Sequence, residues 1–134
     1  MSPRKSEKIF KREYGDELLR IAAQDLASAK ILAAHGGRPE NSIYHAQQAI
    51  EKALKAVLCA KGIPVPLVHD AGILVAKLPG DLSPPGGYSL SDLTPFSTVK
   101  CYEEGAFDIT PEEHSQALSL AEEVLAWAKK NMQP

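Results

Sequence analysis

The chain has 134 residues, a formal net charge of −2, and 24% charged against 44% hydrophobic residues. That length suits one domain able to bury a core, and the near-balanced charge gives no global nucleic-acid signal. No apolar run is long enough to span a membrane, and charges interrupt the N-terminus too often for a secretion signal. Cys59 and Cys101 stand alone, in neither a CxxC pair nor a disulfide-rich pattern. A cytoplasmic protein is the expectation.

Residues 1–14 form a basic arm, with Arg4, Lys5, Lys8, Lys11 and Arg12 against two acidic groups. Residues 101–123 carry seven acidic groups and no Lys or Arg. The two regions suit a meeting within a dimer or the arm suits an anionic partner, but a frayed, solvated terminus is the favoured reading. The expected organisation is this arm followed by a single helical bundle over residues 15–132.

Asp16–Ala34 reads as a first helix, with Leu18, Ile21, Ala22, Ala29 and Leu32 on one stripe and Leu26 at its edge. Asp25 falls in the middle of that stripe. A carboxylate there is costly unless paired, so a partner on a neighbouring helix is expected, with Lys52 and Tyr44 as candidates. The reading is a structural contact that fixes helix register; a catalytic acid is the alternative. His35-Gly36-Gly37-Arg38-Pro39 then breaks the helix: glycine suits a left-handed cap, and Pro39 suits a first helical turn. A connection this short makes the two helices antiparallel.

Asn41–Lys61 reads as the central helix. At roughly 100° per residue, Ile43, Ile50, Leu54, Val57 and Leu58 share one arc, flanked by Ala46 and Ala53. His45, Gln48, Lys52 and Lys55 gather on a second arc bordered by Tyr44 and Glu51. Solubility alone does not require that second arc, although a solvated face can have the same look.

After Gly62, the IPVP segment is an extended link. Val68–Leu78 predicts a short third helix started by His69 or Asp70, with Ile73, Leu74 and Leu78 inward. Pro79–Tyr88 is turn-rich, and Leu90–Tyr102 holds a weaker helical pattern (Leu90, Leu93, Phe96) interrupted by Pro95. Thr110-Pro111-Glu112-Glu113 is a capping-box start for a last helix reaching about Met132. No segment alternates with period two. The fold expected is all-α, an up-and-down bundle of four to five helices.

No metal set is evident, because the four His lie far apart and neither HExxH nor CxxC occurs. The glycines of residues 36–37 are not part of a GxxxxGK[ST] phosphate loop, and no GxSxG points to a nucleophile. His69 and Asp70 are neighbours that do not face each other on a helix, and His114 reads as a surface residue beside two Glu.

Tyr44-His45-Ala46-Gln47-Gln48-Ala49-Ile50-Glu51-Lys52-Ala53-Leu54-Lys55-Ala56 resembles the hallmark segment of HEPN (higher eukaryotes and prokaryotes nucleotide-binding) domains. Asp25-Leu26-Ala27-Ser28-Ala29 resembles the family's first-helix pattern, and His69-Asp70 fits its third-helix start. The resemblance covers roughly residues 15–131. Lys100-Cys101-Tyr102 sits where many members carry an Arg-Tyr pair, so the Arg is replaced. The resemblance implies a helical bundle, usually a homodimer, in nucleotide or RNA transactions. It also implies pairing with a small nucleotidyltransferase in toxin–antitoxin or defence systems of prokaryotes.

Some HEPN members are metal-independent ribonucleases with an Arg-x4–6-His motif near the last long helix. Here His114 has Phe107, Asp108 and Ile109 upstream instead, and the one spacing match, Arg38-x6-His45, opens the second helix. The chain therefore resembles the non-nucleolytic branch. The expectation is a non-catalytic module, with no cofactor, that uses His45, Gln48, Lys52 and Lys55 to hold a nucleotide or a partner nucleotidyltransferase. Asp25 and Glu51 serve as structural polar residues. Two alternatives stay open: a ribonuclease toxin with Arg38 and His45 forming a composite site across two protomers, and a module for dimerisation alone.

Overall fold

A computed structural model of the chain describes residues 7–8, 10–97 and 109–134. In order these form β1 (Glu7–Lys8), α1 (Glu13–Ala34), α2 (Pro39–Ala60), β2 (Val65–Pro66), α3 (Ala71–Ala76), a 3₁₀ stretch (Gly87–Ser97) and α4 (Pro111–Lys130). The protein is an all-α bundle.

Contacts fix the directions of the long helices. Gly15 lies against Ala56 and Ala60, Asp25 against Lys52, and Ala29 against Ser42, so α1 and α2 run antiparallel. His114 meets Ser42 at the start of α2, while Met132 reaches Gly15 near the start of α1. Helix α4 is thus parallel to α2 and antiparallel to α1. Helix α4 therefore starts at the end of the bundle where α2 begins.

The punctuation follows the sequence closely. Gly36 adopts φ 74° just past α1, and the Gly37 N–H donates to the Leu32 carbonyl at 2.8 Å, which together make a Schellman stop. Pro39 sits at the first position of α2, and Thr110 and Glu113 form a reciprocal capping box on α4.

Helix α2 is buried far more widely than the expected stripe. Besides Ile43, Ile50, Leu54, Val57 and Leu58, it buries Ser42, Gln47, Ala49, Glu51, Ala56, Cys59 and Ala60. The cause is coverage on several sides, by α1, by α4 and by α3 with the 3₁₀ stretch. Small residues allow the closest of these approaches. A Cβ on Gly15 would lie 2.9 Å from the Ala56 carbonyl oxygen, and Ala22 and Ala29 continue the same side of α1 at 0% exposure.

Three expectations shift. Helix α3 is shorter than Val68–Leu78, and Ile73 is exposed while Leu74 and Leu78 are buried. Ala71 and Leu74 share the inward side of this brief helix, which turns Ile73 outward. The Leu90 region is 3₁₀ rather than α, and Leu90 itself is fully buried. The side chains of Leu93 and Phe96 lie outside the described residues, as do Lys100, Cys101 and Tyr102. Within the basic arm, Glu7 and Lys8 pair antiparallel with Pro66 and Val65, and Glu7 meets Lys77 at 2.7 Å. That part of the arm lies against the extended IPVP link.

Candidate functional site

The polar arc of α2 is a continuous strip joined by neighbours from α1 and from the start of α3. Lys52 donates to the Asp25 carboxylate at 2.5 Å, with both side chains largely covered. Asp25 is therefore the paired carboxylate that its place on the α1 stripe demanded, and Lys52 is its partner. The pair pins α1 to α2 about halfway along both helices.

Glu51 lies at the inner edge of the strip and is only 1% exposed. Gln48 Nε2 donates to its Oε2 at 3.2 Å, and His69 Nδ1 stands 3.6 Å from its Oε1. A carboxylate only accepts, so the Gln48 amide must turn its NH₂ toward Glu51. His69 itself is well exposed, delivered by the loop that Asp70 caps onto α3 through the Gly72 N–H at 2.9 Å.

Lys55 completes the strip. It is half-buried, and no carboxylate lies in ion-pair contact with it among the described residues. Burial pushes its pKa below the ordinary lysine value; Glu51 opposes that shift and Lys52 adds to it. Among the described residues Lys55 is thus a partly desolvated cation with no carboxylate in contact.

Arg38 and His45 do not form a joint site within the protomer. Arg38 is exposed and pairs with Glu40 at 3.4 Å. Seven residues of helix separate it from His45 by about 10 Å along the axis. His45 is half-buried, stands edge-on to Tyr44 with ring centroids 5.3 Å apart, and has no hydrogen-bond partner for its buried Nδ1 among the described residues.

Two polar residues of α2 went unnoticed in the sequence. Ser42 Oγ donates to the Ala29 carbonyl at 2.7 Å and accepts from His114 Nε2 at 2.7 Å. Because the hydroxyl proton is committed to Ala29, His114 must donate, which is the reverse of a base activating a nucleophile. Ser42 is also 0% exposed, so this is a lock between three helices. Gln47 is likewise 0% exposed, and neither amide atom has a hydrogen-bond partner among the described residues. Its position, roughly 40° from Ile43, placed it inside the apolar arc from the start.

A cavity of about 330 Å³ lies elsewhere, between the 3₁₀ stretch and the first turns of α4. Ile43, Asp92, Glu113 and Leu120 are among its lining residues. It shares none of the strip's residues. Among the described residues no group of three or more His, Cys, Asp or Glu could hold a metal ion, and no helix is long and apolar enough to cross a membrane.

The sequence profile of the HEPN domain family matches residues 16–132, most of the chain. The chain belongs to the HEPN domain family. A curated protein of Methanocaldococcus jannaschii (strain ATCC 43067 / DSM 2661 / JAL-1 / JCM 10045 / NBRC 100440), named "Putative toxin MJ1304", is 43% identical over 54 residues. The match covers 40% of this HEPN chain and 35% of that protein, so the chain spans about a third of the relative's length. No solved structure matched. The matched residues include the whole of α2, the helix that carries the polar strip.

Proposed function

We propose that this HEPN domain is a non-catalytic binding module of a toxin–antitoxin or defence pair, holding a nucleotide on the α2 strip. In this reading Lys55 is the phosphate anchor, Lys52 and His45 border the ligand, and Gln48 meets its sugar or base edge. Lys55 is the observation that carries the reading. A cation held partly out of water without a carboxylate in contact gains more from an incoming anion than a fully solvated one. A homodimer and a partner nucleotidyltransferase belong to the same proposal. The relative's name as a toxin supports that setting.

The ribonuclease reading has weaker support. Arg38 pairs with Glu40, and among the described residues nothing orients the His45 ring through Nδ1 as a positioned acid–base group requires.

Backbone amide NMR of the purified protein tests the proposal. Added AMP should move the signals of residues 45–55 and 69 and leave those of the α4 C-terminus unmoved. Metal-free incubation with RNA beside His45→Ala is the counter-test. Cleavage by the wild type that disappears in the variant would replace the binding module with a nuclease.

A further inference from the structure

We infer that the α2 strip takes a single phosphate group, as a nucleoside monophosphate or one phosphodiester offers, and discriminates against a triphosphate. This rests on the nucleotide-binding reading above and concerns the ligand class of the same site.

The argument is the distribution of charge. Two cations face the strip, Lys52 and Lys55, and two carboxylates stand with them, Asp25 and Glu51. With neutral imidazoles these formal charges cancel. Lys52 is already engaged by Asp25 at 2.5 Å, and the nearest arginine along α2, Arg38, is engaged by Glu40. Lys55 remains as the cation without a carboxylate in contact among the described residues. One phosphate beside Lys55 therefore meets a complementary charge. A second and a third phosphate meet no further uncompensated cation among the described residues, and they lie near the buried Glu51, which repels the added charge. Sites that hold triphosphates supply several cations or a metal ion for the β- and γ-phosphates, and among the described residues this strip supplies one lysine without a carboxylate in contact.

Calorimetric titration of the full chain with AMP, ADP and ATP, at low salt and with chelator present, reads the inference directly. ATP should bind more weakly than AMP, by about threefold or more. ATP binding as tightly as AMP or tighter would overturn the inference while leaving the nucleotide reading intact. Absence of binding by all three would overturn both. The dinucleotide UpA, with one phosphodiester and no terminal phosphate, separates the sources. Affinity above that of AMP identifies a strand, and affinity below it a free nucleotide; either supports a single-phosphate site.

Two variants complete the test, each checked for native helicity first. Asp25→Asn releases Lys52, so the ATP-to-AMP affinity ratio should rise by about three- to tenfold; an unchanged ratio would refute the charge argument. Lys55→Gln should weaken AMP and ATP alike by about tenfold or more. Loss confined to ATP would mean that Lys55 serves a distal phosphate, against the inference.

Discussion

Ser42 and Gln47 lie five residues apart on α2, and both are 0% exposed, yet their surroundings are opposite. Ser42 has a carbonyl to donate to and an imidazole donating to it. Gln47 has two amide atoms with no partner among the described residues. Burial alone therefore does not say whether a polar residue holds the fold together; the partners decide. A satisfied hydroxyl contributes about 1 kcal/mol per hydrogen bond, whereas an unsatisfied buried group costs about 1–3 kcal/mol. Equal burial leads to substitutions of opposite sign.

The largest expected effect is at Ser42. Ser42→Ala removes the hydroxyl's bond to the Ala29 carbonyl and takes away the acceptor for His114, so chemical denaturation should show a loss of about 2 kcal/mol. A loss under about 0.5 kcal/mol would mean that water replaces the lock. At Gln47 the same measurement should run the other way: Gln47→Met keeps most of the volume, removes two unpaired groups and should stabilise the protein by about 1 kcal/mol. Destabilisation there would reveal a polar partner, such as a buried water, that satisfies the amide.

The Asp25–Lys52 pair is intermediate, being partnered but only partly covered. A double-mutant cycle with Asp25→Ala and Lys52→Ala should give a coupling of about 1 kcal/mol that shrinks in high salt. Coupling near zero would leave packing alone to set the register of α1 on α2.

Lys55 gives the smallest effect on stability, and one tied to pH. Its folded pKa lies below the ordinary value of 10.5, chiefly because burial disfavours the ammonium. Below the folded pKa both states are protonated and the penalty is fully present. As pH rises from the folded pKa to 10.5 the unfolded chain binds more protons, so stability contributed by this group rises with pH. Lys55→Met should therefore be as stable as the wild type or slightly more so at neutral pH, and that advantage should vanish in the alkaline range. An advantage that persists at high pH would trace to packing rather than charge.

The fold was legible because its signals are local. The Gly36 stop, Pro39 at a helix start and the Thr110–Glu113 box each depend on residues a few positions apart. The apolar periodicity of α2 identified its core side, and Asp25 on the α1 stripe announced an ion pair that Lys52 supplies. The rest depended on which elements cover which side. Periodicity placed Glu51 at a border but could not show that the loop before α3 carries His69 to it, nor that α1, α4 and the 3₁₀ stretch together bury most of α2. Ser42 escaped notice for the same reason, since its partners come from α1 and from the first turn of α4. Gln47 is different: its angle lay inside the apolar arc, and the signal was in the sequence to be read.

The single most direct measurement of the proposed role of α2 is titration of the wild type and Lys55→Gln with AMP at low ionic strength, by calorimetry. Saturable binding at one site per protomer by the wild type, weakened about tenfold or more in a variant of unchanged helicity, is the result expected. Equal affinity in the two proteins would contradict the assignment of Lys55 as the phosphate anchor and move the search to the cavity between the 3₁₀ stretch and α4.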